Sequence, residues 1–206
     1  MDIVQPDLDR YAEAQTTPHA QLLEELFQET HATLDVPQML TGPVEGRFLE
    51  FLVWALRAER VLEIGTYSGY SAISMAAGLP QGGHIDTCEL EERHAEVARR
   101  YIERAGLSDR ITVHVGPAGE TIERLDGPWD FVFVDADKEG YLGYYEAVLP
   151  KLSEHGLIAA DNTLRGGRVL EGDVISEFND RVRDDPRVIS VLLTVRDGVT
   201  LIRRAS

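Results

Sequence analysis

A single cysteine, Cys88, in 206 residues leaves no intramolecular disulfide to be made, and its place within an apolar strand reads as a buried, inert thiol. Long apolar runs are missing, so no segment reads as a membrane span. The opening residues Met1 to Pro6 carry neither the basic region nor the apolar stretch of a signal peptide, and a cytoplasmic location is expected. Positive charge is scarce: 20 Lys and Arg against 36 Asp and Glu give a formal net charge of -16, which argues against nucleic acid as a partner. Arg165, Arg168, Arg203 and Arg204 are the candidates for a local basic patch. The six histidines are scattered without ligand spacing and read as structural or surface residues. The Gly-x-Gly-x-x-Gly pattern of a dinucleotide site is absent, as are repeats, low-complexity tracts and linkers.

What remains is a chain with 43% hydrophobic residues, suited to one globular domain spanning 1–206. Thr17-Pro18 reads as the cap and first position of a helix, with Leu23, Phe27 and Leu34 at helical spacing up to Pro37. A second helix from about Pro43 is expected to bury Phe48, Phe51, Leu52, Ala55 and Leu56. These helices make a cap over residues 1–58, and the core follows at 59–206. Strands are predicted at Val61–Ile64, His84–Cys88, Ile111–Val115, Phe131–Val134 and Leu157–Ala160. Helical stretches around Ser71–Ala77, Glu91–Ala105 and Tyr141–Leu152 separate them. That alternation predicts a Rossmann-like, doubly wound α/β fold with a mostly parallel sheet. After a helix from about Asp173 to Arg183, two apolar runs split by Asp197-Gly198 predict a closing antiparallel hairpin, for seven strands in all.

Three strand ends carry chemistry. Glu63-Ile64-Gly65-Thr66-Tyr67-Ser68-Gly69-Tyr70-Ser71 turns from strand to helix, with glycines suited to a tight bend and backbone amides suited to a polar ligand. Glu63 places negative charge near that bend, which favours a cationic amino-acid cofactor over a pyrophosphate. Glu89 ends the second strand, where an acidic residue can hold ribose hydroxyls or simply lead into a helix cap. Gly116-Pro117-Ala118 offers a small-residue wall for a flat base, or ordinary loop chemistry. Asp135, Asp161 and Asn162 are hard oxygen donors of the kind Mg²⁺ or Ca²⁺ accepts, and Lys138 puts an amine beside them. Taken singly, Asp135 can cap a helix and Asp161-Asn162 can make a turn.

Together, Glu63 to Ser71, Asp135-Ala136-Asp137-Lys138 with Tyr141 and Tyr145, and Asp161-Asn162-Thr163 resemble the cation-dependent O-methyltransferases, which include the caffeoyl-CoA and catechol O-methyltransferases and small bacterial relatives. The likeness runs from about Met39 to Arg203. It implies S-adenosylmethionine (SAM) as methyl donor, with Glu63, Gly65, Thr66, Tyr67 and Ser71 around its methionine part. Glu89 would hold the ribose, Ala118 would flank the adenine, Met39 and Thr41 would close the site, and Asp137 would be a further contact. It also implies a divalent cation, Mg²⁺ first and Mn²⁺ or Ca²⁺ as alternatives, on Asp135, Asp161 and Asn162. Lys138 would be the general base, and Asp135 and Lys138 together the catalytic residues. A phenol with a pKa near 10 needs such help to become a nucleophile, and a cation with open positions suits two vicinal oxygens of a catechol-like acceptor. Apolar faces on the N-terminal helices resemble the dimerising elements of such enzymes, so a homodimer is expected.

The chain departs from this pattern at Arg165, where many relatives place tryptophan, and at Arg47, where many have glutamine. Arg165 and Arg168 can pair with an acceptor carboxylate, which points to an acidic catechol, or can be a solvated loop. The competing functions are methylation of a hydroxylated tRNA base, a cofactor-binding scaffold without turnover and, by fold alone, a nicotinamide oxidoreductase.

Overall fold

The computed structural model describes residues 4–205. Met1–Ile3, part of the segment read for a signal peptide, and Ser206 lie outside the described residues. Among the described residues, no helix is long and apolar enough to cross a membrane. These residues form seven strands: β1 (Arg60–Ile64), β2 (His84–Glu89), β3 (Ile111–Val115), β4 (Trp129–Val134), β5 (Leu152–Ala160), β6 (Val188–Leu193) and β7 (Val199–Arg204). The helices are α1 (Pro6–Gln15), α2 (Gln21–Thr33), α3 (Pro43–Leu56), α4 (Tyr70–Gly78), α5 (Glu92–Arg104), α6 (Ala118–Arg124), α7 (Tyr141–Val148) and α8 (Val174–Arg183). The strands make one sheet in the order β3-β2-β1-β4-β5-β7-β6. All pairs are parallel except β5 with β7 and β6 with β7. This is the expected Rossmann-like architecture with its closing antiparallel hairpin.

Period-two alternation divides the core. Val61, Phe131, Phe133 and Ala159 pack on one face with α2 to α5. Leu62, Ile64, Val132, Val134, Ile158 and Ala160 pack on the other with α6 to α8. Both faces are covered, which is why the central strands read as continuous apolar runs.

Several local expectations need correction. Thr17-Pro18 does not start a helix. Arg47 takes the carbonyls of both residues at 3.2 and 2.9 Å, and His19 donates to the Pro43 carbonyl at 3.0 Å, so the segment is tied to α3 and α2 begins at Gln21. On α3 the buried face is Glu45, Gly46, Leu49 and Val53, whereas Phe51 and Ala55 are exposed. The helix is rotated from its expected phase because it presses against α4: a Cβ on Gly78 would lie 2.4 Å from the Glu50 carbonyl oxygen. α1 and α6 are additional elements, and β5 begins at Leu152, before the expected Leu157. The β6–β7 connection runs through five residues, 194–198, because β6 ends at Leu193. The four arginines do not make one patch, since Arg203 pairs with Leu157 low on β5 while Arg165 lies beyond its carboxyl end.

The α3–α4 contact gives a direct test. Gly78→Ala is expected to lower stability by about 1–3 kcal/mol through overpacking, read from denaturant unfolding.

Candidate active site

The parallel register brings the chemistry to one edge. Ile64, Val134 and Ala160 are aligned across β1, β4 and β5, and the residue after each strand is still pinned to the sheet. The Asp135 amide donates to Ile64 at 2.8 Å, the Asp161 amide to Val134 at 2.9 Å, and the Gly65 amide to Cys88 at 3.0 Å. Gly65 has a φ of 107°, and a Cβ there would sit 2.0 Å from the Asp135 carbonyl oxygen, so only glycine fits where β1 leaves the sheet.

Two adjoining cavities open at this edge. The larger, about 640 Å³, is lined by Met39, Thr41, Gly65, Thr66, Tyr67, Ser71, Glu89, Ala118, Asp135 and Asp137, which gathers most of the residues expected around a cofactor. Glu89 orders its floor: its carboxylate accepts from the Tyr67 amide at 2.7 Å and from the Glu91 amide at 2.9 Å. Asp137 accepts from the Tyr144 hydroxyl at 2.5 Å. Glu63 does not line the cavity. It is fully buried beneath it, accepting from Thr87 at 2.5 Å, and Thr87 in turn shares a hydrogen bond with Thr66. Burial pushes its carboxyl up to about 8. Cys88 is buried as expected, its thiol pushed up to about 12 by desolvation.

The smaller cavity, about 360 Å³, is lined by Met39, Thr41, Asp135, Lys138, Asp161 and Asn162, together with Arg165, Arg168, Arg196 and Asp197. Lys138 donates to Asp135 at 3.1 Å and to the Tyr141 hydroxyl at 2.6 Å. Burial and the surrounding carboxylates keep that phenol protonated, its pKa well above the ordinary tyrosine value, and it donates onward to the Asp161 main-chain carbonyl at 2.9 Å. Asp161 is buried, and desolvation with the nearby charges of Glu45 and Asp135 raises its pKa well above the carboxylate range. Its Oδ1 has no hydrogen-bond partner among the described residues. Asn162, at φ 54°, turns its amide onto the other Asp161 oxygen at 2.9 Å. A buried, unpaired carboxylate oxygen in an all-oxygen donor set fits a hard cation. No cluster of three or more His, Cys, Asp or Glu side chains that could hold a metal ion occurs among the described residues.

Both cavities share Met39, Leu40, Thr41, Asp135 and Ala136, and these residues form the boundary across which two reactants would meet.

Three site residues escaped the sequence reading. Glu45, on the first turn of α3, is buried beside Asp161. Arg196, in the β6–β7 turn, donates to Glu45 and to the Thr41 carbonyl, joining the hairpin to the loop shared by the cavities. Its φ of 47° is a strained conformation for a residue other than glycine. His94 is more than a surface residue: it lines the larger cavity, edge-on to Tyr67 with ring centroids 4.8 Å apart and 3.5 Å from Glu89. Its position one turn into α5, beyond the acidic strand end, was the available signal.

Comparison with known proteins agrees with this geometry. A family model described as O-methyltransferase matches residues 13–205. The chain belongs to the O-methyltransferase family. It is 36% identical over 187 residues to caffeoyl-CoA O-methyltransferase 2 of Eucalyptus globulus, covering 82% of this chain and 76% of that one. It is 38% identical over 166 residues to the catechol O-methyltransferase of Mycobacterium tuberculosis, covering 80% and 75%. The crystal structure of the Bacillus cereus O-methyltransferase in complex with SAH superposes with a TM-score of 0.89 at 34% identity, covering 97% of both chains. The protein is therefore a SAM-dependent O-methyltransferase.

Two buried carboxyls generate tests in this O-methyltransferase. Glu63 has a higher pKa folded than unfolded, so its contribution to stability is complete below about 4.5 and is lost as pH rises to about 8. The melting temperature of the unliganded protein relative to Glu63→Gln is expected to fall across that window. Arg196→Ala strands the buried Glu45 carboxylate and is expected to cost about 3 kcal/mol at neutral pH, and less in mild acid as Glu45 takes a proton. Arg196→Gly, relieved of the left-handed strain, is expected to recover about 1 kcal/mol of that in chemical denaturation.

Proposed function

We propose that this enzyme methylates a hydroxyl of a catechol-like, vicinal dihydroxy aromatic small molecule in a divalent-cation-dependent reaction. The observation that carries this reading is the buried, unpartnered Asp161 oxygen beside Asp135, with the Lys138 amine held 3.1 Å from the latter. Relatives named as catechol and caffeoyl-CoA O-methyltransferases support a phenolic acceptor.

Asp135, Asp161 and Asn162 would hold the cation, with Mg²⁺ favoured by the all-oxygen donors and Mn²⁺ or Ca²⁺ compatible with them. Bound there, a cation supplies Lewis-acid stabilisation of an acceptor oxyanion. SAM in the larger cavity supplies an electrophilic sulfonium methyl group. Met39, Thr41, Gly65, Thr66, Tyr67, Ser71, Glu89, Ala118 and Asp137 would surround it, and Glu63 would act from below through Thr87 and Thr66. Lys138 Nζ takes the hydroxyl proton in its neutral amine form, and the Tyr141 hydroxyl, anchored on the Asp161 carbonyl, fixes where that amine sits. The shared boundary at Met39–Thr41 and Asp135 aligns the reactants, so positioning supplies much of the rate. The exposed Phe51 and Trp54 of α3 support a homodimer through the N-terminal helices, which light scattering would reveal.

Asp161→Ala is expected to abolish cation-dependent methyl transfer while leaving SAM affinity, measured calorimetrically, within about a factor of two; full turnover in excess chelator would rule the cation mechanism out. Lys138→Ala is expected to lower kcat by about 10²–10⁴ and to flatten its pH profile. An unchanged profile would remove the lysine from the role of base.

A further inference from the structure

The wall of the smaller cavity concentrates cations in a chain that is acidic overall. The chain carries a net charge of -16, yet this cavity is lined by four cations, Lys138, Arg165, Arg168 and Arg196, against three carboxylates, Asp135, Asp161 and Asp197. A divalent cation on the proposed ligands would make it more positive still. Two of the four cations already have close carboxylate partners: Lys138 on Asp135 and Arg196 on Glu45. Asp197 is engaged by the Gly166 amide at 2.5 Å.

Arg165 and Arg168 differ. Arg165 Nε stands 3.7 Å from Asp173 Oδ2, too far for a hydrogen bond, and both atoms are buried without a hydrogen-bond partner among the described residues. Arg168 spends only its Nε, on the Arg165 carbonyl at 3.4 Å, and forms no ion pair among the described residues. The turn that carries them starts on a proposed cation ligand, since the Arg165 amide donates to the Asn162 carbonyl at 3.2 Å. Arg165, Gly166 and Gly167 all have positive φ, at 53°, 61° and 90°, so the side chain of Arg165 is presented from a backbone conformation unfavourable to it. Two guanidinium groups with donors to spare, on the wall of a cavity at the small end of the ligand-site range, suit a planar anion.

We infer that Arg165 and Arg168 form a carboxylate subsite, and that the preferred acceptor is a compact vicinal dihydroxy aromatic acid. This rests on the proposed function, because an acceptor whose two oxygens lie at Asp135, Asp161 and Asn162 presents its remaining ring substituents to the other walls of the same cavity. A carboxylate there supplies the partner that Arg168 lacks among the described residues and Arg165 holds only loosely. The neutral relative of such an acceptor leaves both guanidinium groups unmatched.

The test is calorimetric titration of the SAH-saturated, Mg²⁺-loaded protein with a vicinal dihydroxybenzoate and with the matching dihydroxybenzamide. The wild type is expected to bind the acid about tenfold or more tighter than the amide, a preference that weakens as salt is raised. In Arg165→Asn with Arg168→Gln, asparagine being tolerant of the left-handed conformation, the ratio is expected to fall below about two with amide affinity unchanged. Should the double variant fail to fold, Arg168→Gln alone, at an exposed position, is expected to reduce the ratio at least threefold. A ratio near one in the wild type, or an undiminished ratio in the variants, overturns the subsite. Chelator-sensitive methylation of the amide in that event leaves the proposed function standing. If neither compound binds or is methylated, both readings fall.

Discussion

The structure depends on a short ladder of main-chain hydrogen bonds that continues one residue past the ends of the parallel strands. Gly65, Asp135 and Asp161 are each the first residue beyond an apolar strand, and each still donates its amide to the neighbouring strand. The Gly65 bend, Asp135, Lys138, Asp161 and Asn162 all follow directly from this hydrogen-bonded edge. Because side chains alternate faces along a strand, a slip of one residue in the β4–β5 pairing would turn Asp161 away from Asp135 and push an apolar side chain in its place. The register is secured by two buried faces, so the hydrophobic core and the reactive geometry are selected by the same pairing.

The antiparallel strand β7 adds a second constraint. Running against β5, it begins at the edge where the parallel strands end, with Thr200 opposite Ala160. Its leading turn is thereby delivered onto the site. The Gly198 carbonyl accepts from Thr163, and a Cβ on Gly198 would lie 2.8 Å from the Leu164 amide nitrogen, so the turn is pressed against the Asp161–Leu164 bend. Arg196 then reaches α3. Arg196 on the wall of the smaller cavity and Glu45 on α3, far apart in the chain, are thereby joined.

Legibility in the sequence followed the range of the interactions. The three strand-end motifs could be read because each is a local event, an apolar strand followed by its functional residues, and the parallel fold that aligns them follows from simple alternation. Glu45 could not be read, because an acidic residue on the first turn of a helix is ordinary and its partner is 151 positions away. Arg196 was hidden behind Asp197-Gly198, a strong hairpin signal that drew attention from the longer turn around it. Thr17-Pro18 carries a good helix-start signal that lost to Arg47, whose guanidinium recruits the carbonyls of that segment. The phase of α3 failed for a related reason: Gly46 and Gly78 set its close approach to α4, and small residues contribute little to a hydrophobic pattern. Asp135, Asp161 and Lys138 are legible as types, whereas their exact arrangement with Tyr141 required the packed α7.

The two cavities are drawn from different parts of the chain. The floor and far wall of the larger one come from three strand-end stretches, 65–71, 88–94 and 116–119, whereas the far wall of the smaller one comes from two short irregular segments, 162–168 and 196–197. Those segments connect strands and helices without belonging to either layer of the core. A change confined to residues 165–168 would therefore recast the acceptor side of such a scaffold while the donor side passes unchanged from ancestor to offspring.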